Sequence, residues 1–410
     1  METRPCRYTS RVFALVSTLL LLLGAAACAT PAPTAAPQES EATSTPTPLP
    51  PTVTPIPTAT HAPTFTPAPT PTPTPTVPPE PAPAGFQKGM SYAAWWNGTY
   101  SSAESDQALA ELAATGSEWI SLIVTCYQET VDATEITCDL PRTPTDDDLI
   151  HVFHRARELE LKVMLKPHLD LNNDDSYWRG DIGTAYTTED EWAAWFAAYQ
   201  TMIVRYAELA EAQQAEQFCV GTELSGTTRR EAEWRAVIDA VREAYSGPLV
   251  YASNHGVESS VAWWDALDYV GVDAYYPLTS SIDPTLDELK AAWRVRVSPL
   301  QRLSQRVDRP VVITEIGYRS IDGANVAPWE YSTTRALDLE EQNLCYRAAL
   351  ESLWGQPWLA GIYWWNWETD PERGGPDDPG FTPHGKPAEE TLRAYYGTQT
   401  IHLPVIEKKD

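Results

Sequence analysis

Along the chain, eight short and almost continuously apolar runs alternate with longer stretches whose apolar residues recur every three or four positions. The runs are Phe86 to Ala93, Trp119 to Thr125, Lys162 to His168, Phe218 to Glu223, Leu249 to Asn254, Tyr269 to Tyr275, Pro310 to Glu315 and Gly361 to Trp367. Runs without polar alternation predict parallel strands covered on both faces. The stretches between them carry helix start signals. Thr145 with Asp148 and Thr188 with Glu191 have capping-box spacing, and Ser105 precedes a helix over Asp106 to Ala114 with Gly116 just beyond. Further helices are predicted over Thr228 to Tyr245, Thr285 to Arg306 and Leu339 to Leu353, the second of them broken or kinked at Pro299. This alternation, with no second shift in composition, predicts an α/β fold of the (β/α)8 TIM-barrel type over residues 85–400, followed by a tail at 401–410. A doubly wound open sheet is the runner-up. No Gly-x-Gly-x-x-Gly follows any strand to support a dinucleotide-binding version of it.

Upstream of the barrel the pattern is different. Residues 1–28 carry Arg4, Arg7 and Arg11, then the apolar stretch Val12 to Leu23, then Ala25-Ala26-Ala27-Cys28. That order is an export signal, too short for a comfortable membrane span. The last four residues resemble a bacterial lipobox, which would make Cys28 the lipidated mature N-terminus, although Ala-Ala-Ala also satisfies an ordinary signal-peptidase site. Residues 29–84 hold 19 of the chain's 36 prolines, interleaved with threonine and alanine. Such a segment cannot bury enough apolar surface to offset its ordering entropy, and at ~3.1 Å per residue it is a disordered tether reaching on the order of 100 Å. The chain is thus expected at the outer face of a membrane or secreted, its only membrane contact an N-terminal lipid.

Charge narrows the partners. From Gly85 onward 26 basic residues face 52 acidic ones, a formal charge of −26. Such a surface repels polyanions, which argues against nucleic acid and anionic glycans and favours a neutral substrate. A monomer is expected. Four cysteines fall in the folded part, of which Cys126 and Cys138 flank one polar loop and could pair in an oxidising compartment, while Cys219 and Cys345 remain. The seven histidines show no metal-ligand spacing, and no cofactor is expected.

The candidate chemistry lies at two strand ends. Glu223 terminates the fourth run and Glu315 the seventh, and in a closed barrel these ends face each other across the C-terminal mouth. Two carboxyl groups ~5–5.5 Å apart are what a retaining glycosidase requires, one protonated and one ionised. The positions alone leave open which is which. Strand parity adds Lys166 and His168, with Asp170, on one face of the third strand as sugar contacts. Asn254 closes the fifth strand, and Tyr275 stands where it can hydrogen-bond the nucleophile. Sixteen tryptophans cluster at strand ends, and Trp95, Trp365 and Trp367 are candidates to stack on pyranose faces, the last two by sharing an inward face.

Seven segments carry a resemblance: Lys88-Gly89-Met90-Ser91-Tyr92, Leu165-Lys166-Pro167-His168, Tyr177-Trp178-Arg179-Gly180, Val220-Gly221-Thr222-Glu223-Leu224, Gly271-Val272-Asp273-Ala274-Tyr275-Tyr276, Thr314-Glu315-Ile316-Gly317-Tyr318 and Tyr363-Trp364-Trp365. They look like glycoside hydrolase family 113 of clan A. The resemblance implies an endo-β-1,4-mannanase acting with retention, Glu223 as general acid/base and Glu315 as nucleophile. Thr222 stands where the wider clan has an asparagine contacting the sugar 2-hydroxyl, a departure the family shares. Hydrolysis of another β-glycan (glucan, xylan or galactan), a non-catalytic glycan-binding barrel and a two-lobed solute-binding lipoprotein are the alternatives. The first differs at one hydroxyl or hydroxymethyl, the second needs no glutamate pair, and the third would not show eight-fold alternation.

Overall fold

The structure, a computed structural model, describes residues 81–397. The export leader with Cys28, nearly all of the tether and the tail at 401–410 lie outside the described residues. Eight parallel strands close in sequence order into one barrel. They are β1 (Gln87–Ala93), β2 (Trp119–Gln128), β3 (Lys162–Leu171), β4 (Gln217–Thr222), β5 (Leu249–Asn254), β6 (Tyr269–Asp273), β7 (Val311–Ile316) and β8 (Leu359–Glu368). Each apolar run of the sequence is one of them, with ends moved by a few residues. The (β/α)8 barrel is therefore the fold of this chain.

Among the described residues seven α-helices surround the barrel: α1 (Ala103–Ala113), α2 (Asp146–Glu158), α3 (Glu189–Ala212), α4 (Glu231–Ala244), α5 (Leu286–Val307), α6 (Leu339–Leu353) and α7 (Pro387–Tyr396). The capping boxes at Thr145 and Thr188 form, and Thr285 with Glu288 forms a third. After β5 two 3-10 turns, Glu258–Ser260 and Trp264–Ala266, stand in place of a helix. One expectation needs correction and another is narrowed. The cap of α1 is Ser102, whose side chain accepts from Ser105 N at 3.1 Å, because Ser105 turns inward to the Tyr92 hydroxyl at 2.6 Å. Pro299 does not break α5: it sits on the exposed face, and the carbonyl it cannot bond belongs to Val295, itself 67% exposed, where water can serve instead. None of the described helices is long and apolar enough to cross a membrane.

The barrel interior is stratified. At its base Gln87 Nε2 donates to Gln217 Oε1 at 2.8 Å, and the Tyr363 hydroxyl donates to Gln87 Oε1 at 2.9 Å. Above them Trp119, Met164, Cys219, Val250, Ala252, Val312 and Tyr363 form an apolar plug. Only glycine fits at position 89, where a Cβ would lie 2.3 Å from the Tyr363 ring. This plug is the dry floor of whatever sits in the mouth.

At the mouth Cys126, in β2, is disulfide-bonded to Cys138, pinning a loop that also returns to β2 through Tyr127 and Thr137. A link closing a loop of this size stabilises by about 3 kcal/mol. Cys138→Ala, which leaves Cys126 as a buried thiol, is expected to lower the unfolding free energy in denaturant by that order. A change under about 1 kcal/mol would mean that the two backbone hydrogen bonds of the Tyr127–Thr137 bridge hold the loop without it.

Candidate active site

Glu223 follows β4 directly, with a backbone φ of 55°. A non-glycine residue there costs on the order of 1 kcal/mol, held in place by its N–H donating to Ala252 O at 2.8 Å. The β4–β5 pairing slips by one residue between Cys219 and Thr222, and that slip aims the glutamate into the mouth. Glu315 is placed by a similar device. Val272 pairs with Ile313 and Asp273 with Glu315, so one extra residue on β7 turns both Thr314 and Glu315 inward.

Beneath Glu315 lies a buried charge cluster. Lys166, wholly buried, donates to Glu315 Oε1 and to both Asp273 oxygens at 3.2 and 3.3 Å. Thr314 donates to Asp273 Oδ1 at 2.7 Å, and the Tyr275 hydroxyl donates to Glu315 Oε2 at 2.8 Å. Burial works against the Lys166 charge, but Asp273 and Glu315 outweigh it and hold the ammonium above its ordinary pKa. Lys166 therefore directs its charge at these two carboxylates and not at the open cleft.

Arg179 connects the two halves of the site. It forms a bidentate pair with Asp170, at 3.3 and 2.8 Å, and donates to His168 Nδ1 at 2.8 Å. The same Nη1 lies 3.8 Å from Glu223 Oε2, while His168 Nε2 lies 3.6 Å from Glu315 Oε1. Two side chains thus span the gap between the carboxyl groups. Because a guanidinium can only donate, His168 Nδ1 accepts and the ring carries its proton on Nε2. Burial, Arg179 and Lys166 hold this imidazole neutral, well below the usual histidine range.

Glu223 has the opposite bias. Burial first, then the negative charge of Asp273, push its pKa up to about 8, with Arg179 pulling it down and Glu315 adding to the rise. Asn254 Nδ2 donates to Glu223 Oε1 at 2.9 Å, which leaves Oε2 to carry the proton. The mouth therefore holds one carboxyl group biased toward its acid form opposite another braced by a lysine and a tyrosine. That is the division of labour an acid and a nucleophile need.

Trp365 lies parallel to His168, centroids 6.3 Å apart and planes at 13°, and Trp95, 39% exposed, stands 6.2 Å from Trp365. Together they make an aromatic wall beside Glu315. Trp367 does not join it. The β1–β8 pairing advances two residues on β1 while it advances three on β8, so Trp365 and Trp367 fall on opposite faces, and Trp367 is buried against His384 at 4.7 Å. The expectation of an inward Trp367 fails on that slip.

Two members of the site were not singled out from the sequence as site residues. Asp273 appeared in the sequence only within the segment Gly271 to Tyr276 that carries the family resemblance. Arg179 sits in a 3-10 turn within the long connection at 172–188, and a loop of that length in a compact domain is itself a functional signal.

The sequence profile of glycoside hydrolase family 113 matches residues 90–386. No curated protein matches the chain. Among solved structures, a family 113 β-mannanase from Alicyclobacillus acidocaldarius, determined in complex with ManMIm, is 32% identical with a TM-score of 0.69, covering 76% of this chain and 97% of that one. A family 113 β-1,4-mannanase determined as a complex is 28% identical, also at 0.69, covering 77% and 99%. A β-glucuronidase from Faecalibacterium prausnitzii, at 12% identity, TM-score 0.51 and coverage of 76% and 49%, shares the barrel alone. With the profile spanning the barrel from its first strand to the start of its last helix, this chain belongs to glycoside hydrolase family 113 and is a glycoside hydrolase.

Proposed function

We propose that the chain is a retaining endo-β-1,4-mannanase in which Glu223 is the general acid/base and Glu315 the nucleophile. The observation that carries this reading is the asymmetry of the two carboxyl groups: Glu315 is braced by Lys166 and Tyr275, while Glu223 is pushed toward its protonated form. In the first step Glu223 gives its proton to the interglycosidic oxygen, that C–O bond breaks, and Glu315 bonds to C1. In the second, Glu223 takes a proton from water, whose oxygen displaces Glu315 from C1. Burial and Asp273 account for most of the raised pKa of Glu223; ester formation removes the smaller contribution of the Glu315 charge while Arg179 still favours the carboxylate. The acid of the first step becomes the base of the second.

The mannan preference is supported by the activity of the structural relatives, and the net charge of −27 supports a neutral polymer. The leader and proline-rich tether support an exported enzyme, lipid-anchored through Cys28, working clear of the cell surface. Assay on β-mannan, xylan, cellulose and galactan, with sizing of products and NMR of the first-formed anomer, tests all of this. Internal cleavage of mannan with β-anomer appearing first is expected. An α-anomer would overturn the double displacement, and turnover confined to another glycan would overturn the substrate.

A pH dependence follows from the same asymmetry. Because Glu223 must be protonated in the free enzyme, kcat/KM is expected to fall as pH rises through about 8. Arg179→Met removes a positive charge that favours the Glu223 carboxylate, so the alkaline limb should move upward. An alkaline limb unmoved by Arg179→Met would exclude Glu223 as the group titrating there.

A further inference from the structure

On the opposite half of the mouth from Trp95 and Trp365 stands another exposed indole. Trp329, 45% exposed, belongs to the connection between β7 and α6, and its ring stacks on His255 with centroids 5.4 Å apart and planes at 25°. His255 directly follows Asn254, the residue that donates to Glu223. Its other neighbour is Tyr276, edge-on at 5.5 Å and fixed by a hydrogen bond of 2.9 Å to Glu258. One face of Trp329 is thus covered by an imidazole anchored beside Glu223.

The connection that carries Trp329 is tied down on that same half. Leu278 N, just beyond β6, donates to Asn325 O at 3.0 Å, and Thr279 donates to Asn325 Oδ1. Glu341, at the start of α6, accepts from Gly323 N at 2.6 Å and Asn325 N at 3.0 Å. These bonds hold the indole over the β5–β6 side, away from the β8–β1 side where the other two tryptophans lie. An indole kept half in water on a pinned loop is a ready platform for a pyranose face.

We infer that Trp329 is the sugar platform of the leaving-group side of the cleft, stacking the residue whose oxygen Glu223 protonates. The inference rests on the role proposed for Glu223. The platform then also seats an acceptor sugar that can replace water in the second step: the C1–Glu315 bond breaks, C1 bonds to an acceptor hydroxyl oxygen, and the hydroxyl proton goes to Glu223. Trp329 therefore sets how much of the glycosyl-enzyme is transferred and how much is hydrolysed.

Kinetics of the full chain on two substrates test this. For Trp329→Ala, kcat/KM on mannohexaose is expected to fall about tenfold, mostly through KM, the size of one lost stacking contact. On β-mannobiosyl fluoride, whose leaving group is too small to reach Trp329, the change should stay within about twofold. With mannotriose as acceptor the ratio of transfer to hydrolysis should fall, and Trp329→Phe should restore most of each loss. Equal losses on the two substrates, or none on mannohexaose, would overturn the inference. A separate arm measures mannohexaose and cellohexaose binding to Glu315→Gln by calorimetry, with and without Trp329→Ala. If the wild type turned over no glycan, the proposed function would fail, yet binding weakened about tenfold by Trp329→Ala would still sustain the platform. Unchanged binding, or none to either sugar, would overturn it.

Discussion

Glu315→Gln is expected to lower kcat on mannan by on the order of 10⁴-fold or more, with the barrel intact. The amide has no charge to offer C1, so no covalent intermediate forms. Its carbonyl can still accept from Lys166, and its NH2 can donate to the Tyr275 hydroxyl in place of the bond that Oε2 accepted. The ammonium keeps Asp273 as its anionic partner, so the stability cost should be modest, about 1–3 kcal/mol. Circular dichroism and a denaturant titration check the fold, and steady-state kinetics check the activity. Retention of more than about a tenth of wild-type kcat would remove Glu315 from the nucleophile's role.

Glu223→Ala should separate the two chemical steps. Loss of a general acid costs 10²–10⁴-fold, so turnover of mannan, whose leaving group is a poor alkoxide, is expected to fall by about 10³. With a 2,4-dinitrophenyl mannobioside the leaving group needs no proton. The first step should then run near its normal rate, giving a burst of one phenolate per enzyme followed by slow release. Azide, an anion that needs no general base, should speed that release and yield a β-glycosyl azide. An equal loss on mannan and on the activated substrate, with no azide rescue, would show that Glu223 acts through structure alone. Alanine at φ 55° bears the same backbone strain as glutamate, so the variant isolates the carboxyl group.

The fold was largely legible in the chain. A strand covered on both faces must be apolar throughout, and that requirement is written locally, which is why each of the eight runs is a strand of the barrel. Capping is local too. Thr145 and Thr188 were readable because the partner lies three residues away. Ser105 was misread because its competing partner, the Tyr92 hydroxyl, comes from another element. Pro299 does not end its helix, because the cost of a proline there depends on whether water reaches the orphaned carbonyl, which periodicity does not reveal.

The candidate site divides along the same line. Glu223, Glu315, His168, Asn254 and Tyr275 were visible as polar groups interrupting or ending apolar strands. Arg179 was not, since it reaches the mouth from a connection whose path is set by packing. Trp367 was placed on the wrong face because strict two-residue alternation fails wherever a strand takes up an extra residue.

By itself, then, the sequence determined the barrel, the two glutamates and the aromatic richness of the mouth, because each is a property of residue types along a strand. Only the tertiary structure decided which way those residues point and which carboxyl group keeps its proton. Facing is decided by register slips on β4, β7 and β8. Proton affinity is decided by burial and by charges brought from β3, β6 and the connection after β3, and a Coulomb interaction depends on distance through space and not along the chain.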